Sequence, residues 1–171
     1  VLTALVGAGD AVLLDADAHA SLYDGCGMSG ADTFRFKHND TKSLERRLAR
    51  LGDRASRCLI VVEGMYSVLG DSAPLAEMVE IKDRFGAMLL VDEAHSLGVF
   101  GKHGRGVAEE QGVLDGVDFI VGTFSKSLGA MGGFCASKHD VLKLFRYVSR
   151  PFMFTASPSP AVMATTREAL H

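Results

Sequence analysis

The sequence predicts an α/β domain with a mainly parallel sheet covered by helices on both faces. Two observations lead there. Unbroken apolar runs recur at Ala11-Val12-Leu13-Leu14, Cys58-Leu59-Ile60-Val61-Val62, Ala87-Met88-Leu89-Leu90-Val91 and Phe119-Ile120-Val121, and strands without polar alternation are those buried on both faces. Between the runs lie segments with helical spacing and helix stop signals.

The elements follow in order. Val1 to Val6 is an apolar helical stub ending at Gly7-Ala8-Gly9-Asp10, and Ala11 to Asp15 is the first strand. Asp17-Ala18-His19-Ala20-Ser21 opens a segment running to Gly30, and Thr33 to Phe36 alternates as an edge strand does. Asn39-Asp40 caps a helix over Thr41 to Leu51, with Leu44, Leu48 and Leu51 on one face and Gly52 as its stop. Cys58 to Glu63 is the next strand, followed by a loop from Gly64 to Ser72. Pro74 starts a helix to Phe85 that Gly86 ends, and Ala87 to Val91 leads into Asp92-Glu93-Ala94-His95. A loop with Gly98, Gly101, Gly104 and Gly106 precedes a short helical piece from Val107. Two strands, Asp118 to Val121 and Phe134 to Ala136, flank a loop of hydroxyls and glycines around Lys126. Asp140 is expected to cap a helix to Val148, and a loop past Arg150-Pro151 leads to a final helix.

With 171 residues and a net charge of −3, the chain has the length of one domain and no electrostatic reason to bind nucleic acid or acidic lipid. Cys26, Cys58 and Cys135 form no CxxC pair, which fits reduced thiols in the cytoplasm rather than a disulfide framework or a zinc centre. No apolar run reaches the roughly 18 to 20 residues that span a bilayer.

Ligands of open parallel sheets bind beyond the carboxyl ends of the strands. Asp17 and His19, Ser67, Asp92 and His95, and Thr123 to Lys126 all follow predicted strand ends, so the fold gathers them on one rim. A lysine among small residues can be desolvated and turned into a nucleophile toward an aldehyde. Thr123, Ser125 and Ser127 offer hydroxyls to a phosphate. An aldehyde-bearing cofactor also needs an acid for its ring nitrogen and a face to stack on, which Asp92 and His19 would supply. Each residue has a plainer reading as well: His19 as a helix cap, Asp92 as a loop carboxylate, Lys126 as a surface lysine. His38, His103, His139 and His171 read as surface residues.

Two rival constellations are weaker. Asp92-Glu93-Ala94-His95 spells a helicase DEAH box, but the GxxxxGK[ST] phosphate loop that must precede it is missing. A metal hydrolase built on Asp92, Glu93, His95 and His19 has no helical ligand spacing and leaves Lys126 without a role.

Asp15-Ala16-Asp17-Ala18-His19-Ala20-Ser21, Glu63-Gly64-Met65-Tyr66-Ser67, Val91-Asp92-Glu93-Ala94-His95-Ser96-Leu97-Gly98 with Gly104-Arg105-Gly106, and Gly122-Thr123-Phe124-Ser125-Lys126 together resemble the α-oxoamine synthases, a family of fold-type I pyridoxal-phosphate enzymes. Within that family, His19 to Gly25, Phe36 to Asp40, the Thr-Phe-Ser-Lys-Ser loop and Phe154-Thr155-Ala156-Ser157 look most like the bacterial serine palmitoyltransferase branch. Sister synthases making aminooxononanoate, aminolevulinate or 2-amino-3-ketobutyrate share the core motifs.

The resemblance implies a three-layer α/β/α large domain. Its cofactor would be pyridoxal 5'-phosphate, bound covalently by Lys126, with Asp92 at the ring nitrogen and His19 on the ring face. His95, with Ser67, would contact the phenolic oxygen. Thr123 and Ser125 would bind the phosphate, and Thr155 would reach the neighbouring subunit's cofactor across a homodimer. The implied reaction is decarboxylative condensation of an amino acid, L-serine in this branch, with an acyl-CoA such as palmitoyl-CoA. A non-catalytic partner subunit is the alternative from another class, and Lys126 argues against it. Family members are longer, with a phosphate-binding loop upstream and a small domain downstream, so residues 1–171 are expected to be part of the cofactor-binding large domain. Ser157-Pro158-Ser159-Pro160 departs from the family's Ser-Leu-Pro-Pro.

Overall fold

The unbroken apolar runs form the central strands of one sheet. The computed structural model describes residues 1–170, and His171 lies outside them. Six strands, β1 (Ala11–Asp15), β2 (Asp32–Phe36), β3 (Cys58–Glu63), β4 (Met88–Asp92), β5 (Phe119–Thr123) and β6 (Gly133–Ser137), are ordered β2-β1-β3-β4-β5-β6. The first five are parallel, and β6 runs antiparallel to β5 along one edge. The lysine loop is therefore a hairpin connection, which explains why it is short where the other links contain helices.

Eight helices surround the sheet among the described residues: α1 (Leu2–Leu5), α2 (Ala20–Ser29), α3 (Thr41–Leu51), α4 (Leu75–Phe85), α5 (Val107–Glu110), α6 (Phe145–Val148), α7 (Arg150–Met153) and α8 (Pro160–Ala169). Alternate strand residues face opposite layers. Leu13, Ile60, Leu89 and Val91 pack with Leu44 and Leu48 of α3 and Leu75, Met78 and Ile81 of α4. Val12, Leu14, Leu59, Val61 and Leu90 pack with Leu2 of α1 and Leu22 and Cys26 of α2. This is the predicted three-layer α/β/α arrangement.

Local signals explain the helix ends. The Asp40 carboxylate accepts the Ser43 amide to start α3, and Gly86 ends α4 in the left-handed conformation. Pro74 stands one residue before α4, whose first helical residue is Leu75. The expected cap at Asp140 is not formed. Residues Asp140–Leu144 make a 3-10 turn, and the Asp140 carboxylate pairs with Lys143 at 2.7 Å instead of with a backbone amide.

β1 lies between β2 and β3, so the chain leaves it toward one side and returns on the other. At that reversal the carboxyl ends of the strands open a crevice. His19 follows β1, Glu63 ends β3, Asp92 ends β4 and Thr123 ends β5.

Candidate active site

The polar cleft at these strand ends has a volume of about 210 Å³ and is lined by His19, Glu63, Asp92, His95, Thr123 and Lys126, with Ser21, Ala94 and Gly122 between them. A larger cavity of about 470 Å³ sits beside β5 and β6, mainly against apolar side chains such as Leu114, Ile120 and Phe134. It contains none of the predicted site residues, so the chemistry belongs to the polar cleft.

His19 begins α2. Its Nδ1 accepts the Ser21 amide at 3.2 Å and lies 2.9 Å from Ser21 Oγ. The helix-cap role and the cleft position are thus the same fact: capping fixes the imidazole on the cleft wall. The His19 amide in turn donates to Glu63 Oε1 at 2.5 Å.

Asp92 is half-buried, and its Oδ1 accepts the Ala94 amide at 2.9 Å. Burial raises its carboxyl above the ordinary range, opposed by that amide and by the positive charges of Lys126, His95 and His19. A cation placed against it would favour the ionised form. His95 is pushed the other way: burial and the nearby Lys126 amine lower its imidazole, while Asp92 raises it.

Lys126 lines the cleft but is exposed, not desolvated as the sequence suggested. The hairpin holds it open to solvent, with the loop folded around Thr123. The Thr123 hydroxyl lies 2.8 Å from Ser125 Oγ and 3.1 Å from the Gly132 carbonyl, and it accepts the Ser125 amide at 3.2 Å. Ser125 thus braces Thr123 and does not itself line the cleft. Ser67 is exposed on the loop after β3 with its backbone amide toward Glu63, and Thr155 is exposed beyond α7; neither lines this cleft.

Glu93, next to Asp92, is anchored elsewhere. It is fully buried and accepts the amides of Val107 at 3.0 Å and Ala108 at 2.9 Å, together with the Ser96 hydroxyl. It therefore caps α5 from a distance. Gly106, at φ +101°, and Gly64 lie so close to this carboxylate that a Cβ at either would overlap it. Glu93 thus ties the glycine loop to the turn that carries Asp92 and His95.

Residues outside the predicted set complete the surroundings. Glu63 closes an all-apolar strand with a buried carboxylate, the signal in the sequence that it belongs to the site. His38 is no free surface residue. Its Nδ1 lies 2.8 Å from Asp15 and its Nε2 3.0 Å from Asp71, which fastens the loop carrying Ser67 to the end of β1. Asp15 is fully buried at a strand end, which requires such a partner. His139 also has a partner, Asp118, at 2.8 Å, whereas His103 is exposed and pairs with Glu109.

The sequence profile described as "Aminotransferase class I and II" matches residues 1–171. A serine palmitoyltransferase of Caulobacter vibrioides is 59% identical over 170 residues, covering 99% of this chain and 42% of that protein. An 8-amino-7-oxononanoate synthase of Geobacter metallireducens is 45% identical over 170 residues, covering 99% of this chain and 43% of that protein. A solved serine palmitoyltransferase from S. paucimobilis with bound PLP–myriocin aldimine superposes with a TM-score of 0.94 at 50% identity, over 99% of this chain and 42% of that one. The chain thus spans about two fifths of the length of the relatives it matches.

Proposed function

The chain belongs to the aminotransferase class I and II family, and on that premise we propose that residues 1–171 form part of the cofactor-binding large domain of an α-oxoamine synthase. The observation that carries the proposal is the meeting of His19, Asp92, His95 and Lys126, from three separate connections, in one polar cleft. The cofactor proposed is pyridoxal 5'-phosphate. The donor set fits it: one primary amine open to solvent, one half-buried carboxylate, two imidazoles and a braced hydroxyl.

When bound, the pyridoxal ring supplies an electron sink for negative charge developing at the Cα of an amino acid. The remaining work falls to the protein. Lys126 holds the cofactor through its amine and moves the Cα proton. Asp92 keeps the proton on the ring nitrogen through a charge-assisted hydrogen bond, a role its burial strengthens. His19, fixed by its cap, presents its imidazole to the ring face. His95 would hold the phenolic oxygen, and Ser67, on the loop outside this cleft, would be a further donor. Thr123, steadied by Ser125, binds the phosphate, and Thr155 serves the neighbouring subunit's cofactor in a homodimer.

The overall reaction proposed joins L-serine and palmitoyl-CoA. A bond forms between the serine Cα and the thioester carbonyl, CoA leaves as the thiol, and the serine carboxylate leaves as CO2, giving 3-ketodihydrosphingosine. The names of relatives at 59% and 52% identity support the serine palmitoyltransferase branch. The 8-amino-7-oxononanoate synthase at 45% identity keeps a sister synthase as the second reading. No helix among the described residues is long and apolar enough to cross a membrane, and we place the reaction in the cytoplasm.

CoA release by the full-length protein, measured with serine, alanine and glycine against acyl-CoAs of several lengths, tests this reading. Preference for serine with long chains is expected. No preference for serine with long chains, with alanine or glycine used as well or better, would move the protein to a sister branch.

A further inference from the structure

Glu63 is an acid almost wholly removed from water, 1% exposed, at the floor of the cleft. A buried carboxylate is retained only where hydrogen bonds or an opposite charge offset its desolvation. Among the described residues no lysine or arginine pairs with it. Its partners are instead the two histidines of the cleft. Oε1 accepts the His19 amide at 2.5 Å, and Oε2 lies 3.6 Å from His95 Nδ1. The Ser67 amide also faces the carboxylate. Among the described residues the His95 ring makes no side-chain hydrogen bond, and Glu63 Oε2 is the carboxylate oxygen within 4 Å of it.

We infer that Glu63 is the positioning residue for both cleft imidazoles: one oxygen holds the main chain of His19, and the other turns His95 so that Nδ1 faces the carboxylate. Nε2, on the opposite side of that ring, is then the nitrogen left free for a ligand. Burial raises the Glu63 carboxyl, and in its ionised form it favours the protonated imidazole against the burial and the Lys126 amine that lower His95. A histidine whose second nitrogen faces a carboxylate has a fixed tautomer and a more basic ring. Other charges act on the same pair. Asp92, Lys126 and His19 face His95, and Asp92 and His19 face Glu63. The Glu63 contribution must therefore be isolated by a change that keeps the others.

Glu63→Gln does so. It keeps the volume and an oxygen for the His19 amide, but presents an NH2 group to Nδ1 and removes the charge. The readout is the protonation midpoint and tautomer of His95, followed by nitrogen-detected NMR of ring-labelled, cofactor-free full-length protein. In Gln, the midpoint should fall by about one pH unit, a tenfold change for an opposite charge lost at this range, and the proton should sit on Nε2 in the neutral ring. Glu63→Asp, which keeps the charge at shorter reach, should lie closer to the native protein. An unchanged midpoint and tautomer in Gln, or identical behaviour of Gln and Asp, overturns the inference. Should Gln fail to fold, the neutral tautomer of His95 in the native protein decides: a proton on Nδ1 supports the inference, and a proton on Nε2 overturns it.

The inference deepens the cofactor reading, and the two can fail separately. Absence of pyridoxal-phosphate binding by the native protein would sink the proposed function while leaving the cofactor-free NMR result standing. Binding with an unshifted absorbance titration in Gln, together with an unmoved His95, would sink only the role of Glu63.

Discussion

Replacing Glu93 by alanine should destabilise the fold far more than a change to an ordinary acidic residue would. The carboxylate lies on the strand-end turn and accepts the Val107 and Ala108 amides and the Ser96 hydroxyl, all within a fully buried pocket. An orphaned buried donor costs about 1–3 kcal/mol. Two amides lose their partner in Glu93→Ala, while the rotatable Ser96 hydroxyl can turn elsewhere. Removing the buried charge returns part of this cost, because burial raises the Glu93 carboxyl above its ordinary range. The net loss should be about 2–5 kcal/mol, a large share of a typical domain's stability. Glu93→Gln keeps one acceptor oxygen and the volume, so it should lose about 1–3 kcal/mol, the value for a single donor. Denaturant unfolding of the full-length protein measures both, and hydrogen exchange at Val107 and Ala108 localises the loss. An alanine variant within 1 kcal/mol of the native protein (roughly the lower bound for one orphaned donor), with those amides still protected, would refute the assignment of Glu93 as the remote cap of α5.

Three further outcomes are expected. His38 is held between Asp15 and Asp71; against the desolvation of the ring, these hydrogen bonds raise its pKa. Its stabilisation is therefore complete below the unfolded value of about 6.5 and lost as pH rises through the folded value, so the Tm gap to His38→Asn should shrink across that window, and a constant gap would contradict the clamp. Lys82 is buried against Asp118 at 3.2 Å and Asp83 at 2.7 Å. Breaking a buried pair costs about 3–5 kcal/mol; Asp118→Asn leaves Lys82 its Asp83 partner but also removes the charge that faces His139, so a loss within this range is expected, with denaturant unfolding as the check. The His103 ring and the His103 and Arg105 amides, outweighing a desolvation cost, hold the Glu109 carboxyl at about 2. Carbon-detected NMR should find it ionised at about pH 3, since the interaction is present above the unfolded value near 4.5 and lost as pH falls toward the folded one, and His103→Ala should return the midpoint toward 4.5.

The strands were readable because burial on both faces leaves no polar residue in the run: Ala11–Asp15 and Cys58–Glu63 fall where the sequence put them. Helix α3 was readable from its cap, its leucine spacing and its glycine stop. The segment after Ser137 was not. There Asp140 has two possible partners, a backbone amide or Lys143, and local sequence does not decide between them. In the cleft, the sequence placed Lys126, Asp92, His19 and His95 on one rim because topology alone brings strand ends together. It did not disclose the carboxylates behind them. Glu63 and Asp15 end apolar strands, and their histidine partners come from 32 residues away in one case, Glu63 to His95, and 23 in the other, Asp15 to His38. Such pairings depend on crossover geometry, which leaves no local pattern.

The central claim is that Lys126 is the amine that carries the cofactor. Full-length protein loaded with pyridoxal 5'-phosphate, reduced with borohydride and digested, tests it by peptide mass spectrometry. A pyridoxyl adduct is expected on the peptide containing Lys126, and no adduct in Lys126→Ala. An adduct on another lysine, or one that persists undiminished in Lys126→Ala, would contradict it.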